Sequence, residues 1–331
     1  MKNYLSKDNT DCLKGIFAIF IVVHHCRAQM SSLNNTVVGM ILTALGYLSV
    51  AIFYFLSGYG LEKQYQVKGD DYIKKFPYNR IIPFYAICSC TILVYSIFKY
   101  LMGIPFSFQL FLQSFIFGKT IVSNGWYLQS IIFVYLLFYL DYRFFKERRL
   151  SVMIIFLIIY CGVVLILTKN IIYFESIFTF ILGIAWAQYK EEINKMMNNK
   201  KIYILSFVVS VSLFCITLLI GNLRLFNSTI YIFSKMISAV IFVFCTVLML
   251  MKINISNNIT VWLGKIFCEI YIMQGIFLEL FHSRVVYIKN EYMYLIIVII
   301  STISVAYIVH PIFNLLSNNV KNILYTKFRL E

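Results

Sequence analysis

The chain has 331 residues, of which 61% are hydrophobic and only 13% charged, and its formal charge is +15. A soluble domain is nearer half apolar and a quarter charged, so this much Ile, Leu, Phe and Tyr calls for lipid around it and excludes a water-soluble fold. The positive balance does not point to nucleic acid, because the basic residues sit at the ends of apolar runs, and no nucleic-acid partner is expected.

The start, Met1 to Asp8, is polar. The first apolar run, Ile16 to Val23, has signal-peptide length, but His24-His25-Cys26-Arg27 follows where a small-residue cleavage site would stand, which predicts an uncleaved first helix. A spanning helix needs ~20 mostly apolar residues. Such segments are predicted near 12–30, 37–61, 81–102, 125–141, 150–168, 171–189, 202–221, 230–251, 259–281 and 292–316. The stretch Phe106–Phe117 is apolar but too short to span; it follows Gly103 and Pro105 and reads as re-entrant or interfacial. Eight cysteines sit mostly inside apolar runs, where cysteine behaves as a small hydrophobe. Their spacing suggests neither a disulfide framework nor a metal site, so no metal is expected.

The predicted fold is therefore all-α: a polytopic integral membrane protein of about ten transmembrane helices, one transmembrane domain over residues 1–331. Ten spans put both termini on one side. Lys63, Lys68, Lys74, Lys75 and Arg80, then Arg143, Lys146, Arg148 and Arg149, then Lys190, Lys195, Lys200 and Lys201 fall in alternate loops. With both tails and Lys252 that side carries about 19 basic residues; the other carries about 6, namely Arg27, Lys119, Lys169, Arg224, Arg284 and Lys289. Lys and Arg concentrate in cytoplasmic loops, which predicts an N-in, C-in orientation.

A charged side chain within the bilayer faces a partner or a wet cavity. Lys14, His24, His25, Glu175, Lys265 and Glu269 are the informative positions, while Lys99, Lys235 and Glu279 lie nearer helix ends and are expected to snorkel. On the first helix Lys14 and His25 are eleven residues apart. At ~100° per residue they return to within ~20° of one face, ~16 Å apart along the axis. Asp11 falls near the same face. One stripe thus carries a carboxylate and an ammonium near one end and an imidazole near the other, as the wall of a passage would. Histidine titrates near neutrality, so His25 in a wet cavity is a usable general base. Snorkelling of Lys14 and a helix-to-helix bond from His25 explain an isolated pair equally well, and the helix alone identifies no substrate.

The run Asp11-Cys-Leu-Lys14-Gly15-Ile-Phe-Ala-Ile-Phe-Ile-Val-Val-His24-His25 resembles the opening helix of the acyltransferase family 3 membrane proteins, with its basic residue, ten residues and histidine. Further resemblances follow in order. Phe53-Tyr-Phe-Leu-Ser57-Gly58 is similar to the end of the family's second helix, and Lys74-Lys75-Phe-Pro-Tyr-Asn-Arg80-Ile-Ile-Pro83 to the basic lead into its third. Gly125-Trp126-Tyr127-Leu128 and Leu263-Gly264-Lys-Ile-Phe-Cys-Glu269-Ile-Tyr271-Ile-Met-Gln274-Gly275 resemble two later helix motifs. The departures are Lys14 where Arg is commoner, Pro83 where a second Arg often stands, and Gln274 where many members have His.

The resemblance implies a transferase moving an acyl group other than aminoacyl, acetyl first, from a cytoplasmic acyl-CoA to a hydroxyl of a cell-surface or lipid-linked glycan: O-acetylation of an envelope polysaccharide. Acyl-CoA, with acetyl-CoA the first expectation, is a co-substrate, and no permanently bound cofactor is implied. On this reading His25, Lys14 and Glu269 are catalytic. His25 takes the acceptor proton, or becomes acylated itself. Lys14 holds the donor or polarises the passage. Glu269 orients His25 or pairs with Lys14 or Lys265. Arg80, Lys74 and Lys75 bind the donor, Arg80 foremost because a guanidinium forks onto phosphate. Asp11, Trp126, Tyr127, Tyr271 and Gln274 line the substrate path. Ser57 and Gly58 are expected to allow close helix packing. His282 is explained by solvation in an outer loop, and His310, before Pro311, by satisfying backbone that the proline frees. Expected partners are acyl-CoA, the glycan acceptor, membrane lipids, and a second copy or the glycan-synthesis machinery. The Asn/Ile/Lys-rich composition fits the cytoplasmic membrane of an AT-rich bacterium. The rival reading is a transporter or flippase for a lipid-linked saccharide; the Lys14–His25 stripe with Arg80 favours the enzyme, and no paired repeat halves favour transport.

Overall fold

The computed structural model describes residues 3–116, 118–145, 149–222 and 228–328. The basic residues Lys146, Arg148 and Arg224, and Phe117 at the end of the short apolar stretch, lie outside them. Thirteen α-helices and no β-strand occur among the described residues. The protein is an all-helical, multi-pass membrane protein. Among the described residues six helical segments are long and apolar enough to cross a bilayer, or seven if one bent pair counts as a span. α1 (Lys7–Arg27) and α5 (Trp126–Phe144) are not among the six. Both carry polar side chains inside their apolar windows: Asp11, Lys14 and His24 in α1, Gln129 and Asp141 in α5.

Where the elements depart from expectation, backbone chemistry gives the reason. The second and third predicted spans are one helical stretch, α2 (Val37–Phe76), a π-helical turn Pro77–Ile81, and α3 (Ile82–Leu101). Its 65 residues would measure ~98 Å if straight, about three hydrocarbon thicknesses. Gly69 breaks it at φ +58°, ψ −144°, a conformation that a residue with a Cβ rarely adopts. The short apolar stretch forms only the six-residue α4 (Phe108–Gln113), started by Ser107, whose Oγ accepts from the Leu110 N–H at 3.0 Å. α6 (Arg149–Thr168) follows α5, and the next span is a 3-10 turn, Ile171–Tyr173, running on to α7 (Phe178–Gln188). A predicted loop contains α8 (Lys190–Met197), an amphipathic helix of two turns. α9 (Lys200–Asn222) and α10 (Ser228–Leu250) match two predicted spans. The predicted span 259–281 is corrected to two helices, α11 (Asn258–Lys265) and α12 (Phe267–Leu280), bent by 74° at Ile266. The last helix, α13 (Glu291–Phe328), continues past Pro311 well beyond the predicted end.

The chain forms two compact units: Met1–Phe20, Asn35–Val67 and Leu150–Lys265 in the first, Ile21–Asn34, Lys68–Arg149 and Ile266–Glu331 in the second. Within the first, α2 and α7 cross at touching backbones. A Cβ on Gly58 would strike the Phe180 carbonyl, and one on Gly183 the Phe55 carbonyl. Ser176 and Thr179 donate across the crossing to the carbonyls of Tyr47 and Ala51, at 2.7 and 2.8 Å. Small residues and hydroxyls serve this purpose in lipid, where apolar burial adds nothing between helices. Gly264 of α11 lies likewise against the Asp11 carbonyl of α1. Lys235 of α10 pairs with buried Glu175 at 3.0 Å, so it does not snorkel to the interface.

Within the second unit, α12 is clasped by α3, α13 and the segment before α5. Tyr95 donates to the Ile272 carbonyl at 2.7 Å, Tyr271 to the Asn124 carbonyl at 2.6 Å, and Tyr294 to the Leu278 carbonyl at 3.1 Å. Gly275 leaves room for Ser123, whose Cβ a methyl there would meet at 2.9 Å. Gln129 ties down the incoming segment, accepting from the Gly118 N–H at 3.2 Å.

The two-glycine crossing is testable. Gly183→Leu is expected to destabilise the purified protein by about 1–3 kcal/mol, as overpacking does. Gly60→Ala, with nothing within 4 Å of the new methyl, is expected to stay within about 0.5 kcal/mol. Thermal unfolding in detergent reads both, and equal midpoints would show that the crossing is not tight.

Candidate active site

In the second unit a cavity of about 780 Å³ opens where three helices end and α13 begins. His25 and Gln29 come from the end of α1, Lys99 and Met102 from the end of α3, and Leu278 and Glu279 from the end of α12. Ser123 and Asn124 come from the segment leading into α5, His282 and Arg284 from the loop after α12, and Tyr294 from the first turn of α13. The volume is that of a small-molecule site, which usually spans ~300–1,000 Å³.

The polar groups converge on Glu279. Lys99 Nζ reaches both of its carboxylate oxygens at 2.7 Å, and Ser123 Oγ hydrogen-bonds Oε1. Glu279 side-chain exposure is 25% and that of Lys99 12%, so both charges are largely withdrawn from water and hold each other in place. Asn124, the next residue after Ser123, takes a left-handed φ of +60°, which the Tyr271 hydroxyl fixes from its carbonyl side. The His25 ring lies edge-on to His24 at 4.9 Å, and the His282 ring stands 5.1 Å from Tyr287. The cavity wall thus carries two imidazoles, a positioned carboxylate, an ammonium, a guanidinium and a serine. That set can accept and donate protons and hydrogen-bond the hydroxyls of a polar molecule.

The predicted residues divide. His25 lines the cavity; Lys14 and Asp11 are not among its lining residues. They pair with each other at 2.9 Å, lower on α1, in the first unit, whereas His25 belongs to the second. Glu269 meets neither His25, Lys14 nor Lys265 among its hydrogen bonds. Its Oε1 bonds His310 Nδ1 at 2.9 Å, and His310 Nε2 faces Asn314 at 2.9 Å. The bend at Ile266 explains this correction: Glu269 lies in the first turn of α12, which faces α13. His310 is therefore held by a carboxylate, and the backbone role expected of it gives way to a side-chain pairing. Tyr127 packs edge-on against Tyr271 at 5.5 Å, Trp126 lies beside Tyr127 at 6.1 Å, and Gln274 is buried and donates to the Tyr271 carbonyl at 3.1 Å. None of these four is among the residues lining that cavity; Tyr271 holds the segment that presents Ser123 and Asn124. His282, expected to be merely solvated, is a lining residue.

The expected donor residues lie at the other end of α3. Arg80 is exposed in the Pro77–Ile81 turn. Lys75 lies over the Tyr325 ring at 5.9 Å, and Lys74 pairs with exposed Asp71 at 3.1 Å. Between Arg80 and Lys99 runs α3, 20 residues and ~30 Å at the usual rise, the thickness of a hydrocarbon core.

A family model described as an acyltransferase domain (Acyl_transf_3) matches residues 8–310. This chain belongs to the acyltransferase 3 family. No curated protein and no solved structure matches it. The matched range takes in His25 and the whole of α12, and it ends at His310.

Lys99, Glu279 and Ser123 were not legible as site residues: each is ordinary near a helix end or in a loop, and nothing local marks the pairing. A double-mutant cycle checks it. Glu279→Ala alone is expected to destabilise by about 3–5 kcal/mol, because it strands a largely buried ammonium. Lys99→Met with Glu279→Leu should recover most of that loss. Additive losses in the double variant would show the pair to be uncoupled.

Proposed function

We propose that this protein transfers an acyl group, acetyl first, from a cytoplasmic acyl-CoA to a hydroxyl of a cell-surface or lipid-linked glycan in the bacterial cytoplasmic membrane. The observation that carries the reading is His25 opening onto the 780 Å³ cavity beside the Lys99–Glu279–Ser123 cluster, in a chain of an acyltransferase family.

The acceptor hydroxyl enters the cavity, where Glu279, Ser123 and Asn124 hydrogen-bond neighbouring hydroxyls and fix its pose. His25 takes the attacking hydroxyl proton as the oxygen bonds to the thioester carbonyl carbon. The C–S bond then breaks, and the departing thiolate is protonated to the free thiol. Lys99 and Arg284 supply positive charge on the cavity wall, which favours the oxyanion of the tetrahedral intermediate. Donor phosphates dock at Arg80, at the other end of α3, so the thioester arm is directed along the second unit.

Ten crossings and an N-in, C-in orientation belong to this reading. Six apolar segments become ten if α2 and α3 cross separately, if α11 and α12 together make one broken crossing, and if α1 and α5 cross with their polar side chains turned inward. Cysteine accessibility reads the orientation. With native thiols blocked, Ser283→Cys in the loop after α12 is expected to react with an impermeant thiol reagent on intact cells, and Asn198→Cys after α8 only after permeabilisation. The reverse pattern would invert the topology.

The activity itself is tested with purified protein in vesicles, radiolabelled acetyl-CoA and extracted envelope glycan. Wild-type protein should label the glycan, and His25→Ala should remain folded and lose about 10²-fold or more in rate, the usual weight of a general base. Full activity in that variant would remove His25 from the chemistry. Export of a lipid-linked saccharide without labelling, by protein that binds no acyl-CoA, would replace the enzyme with a transporter.

A further inference from the structure

One carboxylate joins the start of the last helix to the end of the first. Glu291, which opens α13, takes four hydrogen bonds from two successive residues of the connection between α1 and α2. Ser31 donates its backbone N–H and its hydroxyl to Oε1, at 2.7 and 2.6 Å. Ser32 does the same to Oε2, its N–H at 3.2 Å with the hydroxyl beside it. Successive N–H groups in a turn form an anion-binding nest, and here the protein's own carboxylate fills it. All three residues belong to the second unit.

This contact adjoins the cavity on both sides. Ser31 follows the tight turn that ends α1. There the N–H groups of Ala28, Gln29 and Met30 bond the carbonyls of His25, Cys26 and Arg27 at 3.3, 2.9 and 3.0 Å, carbonyls that a helix end leaves without a partner in the helix itself. Arg27 also reaches Asn34 Oδ1 at 3.1 Å, closing the loop that holds the two serines. His25, Ala28 and Gln29 of this turn line the cavity. Tyr294, three residues after Glu291 and on the same helix face, lines the cavity too and donates to the Leu278 carbonyl of α12 at 3.1 Å. The first turn of α13 therefore grips two walls, that of α1 by Glu291 and that of α12 by Tyr294. Ser31 and Ser32 are exposed, where a hydrogen bond contributes little to keeping a chain folded. Four charge-assisted bonds on one carboxylate fix a position instead.

We propose that Glu291 is a positioning residue for acyl transfer: by holding Ser31 and Ser32 it sets the end of α1, and so the His25 imidazole, on the wall of the cavity shared with Lys99, Glu279 and Ser123. The inference rests on the acyl-transfer reading and adds to it a residue outside the cavity's lining. An imidazole that takes a proton from an acceptor hydroxyl must stand within hydrogen-bond reach of it. A displacement of about 1 Å costs on the order of 10²-fold in rate. Donor docking, at the other end of α3, does not involve this turn.

Transfer from radiolabelled acetyl-CoA to extracted envelope glycan is measured with full-length protein in vesicles. Glu291→Ala is expected to lower kcat about 10- to 100-fold and to leave the KM for acetyl-CoA unchanged. Glu291→Gln, which keeps an acceptor oxygen for Ser31 and an amide for the Ser32 hydroxyl, should stay close to wild type. Adding Glu291→Ala to His25→Ala should slow the reaction no further, because a residue that acts through His25 then has nothing to position. A second measurement needs no turnover. Carbethoxylation of His25 by diethyl pyrocarbonate, read by mass spectrometry, should change several-fold in rate in Glu291→Ala. Wild-type kcat in Glu291→Ala, a further equal loss in the double variant, or an unchanged His25 rate overturns the proposal while leaving acyl transfer standing. A fall in kcat matched by a rise in the acetyl-CoA KM shows general disruption and overturns it as well. Wild-type protein that neither binds acetyl-CoA nor labels glycan sinks the underlying reading, and the His25 rate still decides whether Glu291 holds the helix end.

Discussion

Lipid offers a charged side chain no water, so an ionisable group inside a helical membrane protein must find another ionisable or polar group there. Among the described residues, four such pairings tie helices together or hold a side chain to its own helix. Lys235–Glu175 and Lys14–Asp11 lie in the first unit, Lys99–Glu279 and His310–Glu269 in the second. The remaining fastening uses the same constraint at the backbone. Tyr95, Tyr271 and Tyr294 place their hydroxyls on carbonyls around α12, and Ser176 and Thr179 do so between α7 and α2. Large aromatic bodies buried in the bundle, each with one polar tip satisfied, position the segments that carry the site.

The broken helix falls where the chain passes from the first unit to the second. With α11 and α12 bent by 74°, Gly264 answers to the backbone of Asp11 while Glu269, just past the bend, answers to His310. A straight helix would carry both residues along one axis, without that change of neighbours. Non-helical backbone of this kind is tolerated in membranes where protein surrounds it or a cavity opens beside it.

Much of the fold was legible in the sequence because hydropathy reads the lipid requirement directly: nearly every apolar run became a helix close to its expected limits. The exceptions have local physical causes. The run of helix from Phe76 into the next span was hidden because Pro77 looks like punctuation, yet proline at the start of a helical turn forfeits no hydrogen bond that the turn requires. The bend at Ile266 carries no proline or glycine of its own and could not be seen. α8 is short and polar, and its amphipathic pattern over two turns is weak against a loop.

The site divides in the same way. His25 was recognisable because helical spacing from Lys14 and the family's opening motif both single it out, and the structure sets it in a cavity. Trp126, Tyr127, Tyr271 and Gln274 carried the motif and lie outside that cavity's lining, with Tyr271 bonded to the Asn124 carbonyl. Glu279, Lys99 and Ser123, separated by up to 180 residues, have no local signature. By itself the amino-acid sequence determined that the chain is helical, lies in a membrane and carries an imidazole on its first helix, because hydropathy and periodicity are properties of neighbours along the chain. Which carboxylate meets which cation, and which aromatics line a cavity rather than support it, was decided only by the tertiary structure, because those contacts join residues that the sequence keeps far apart.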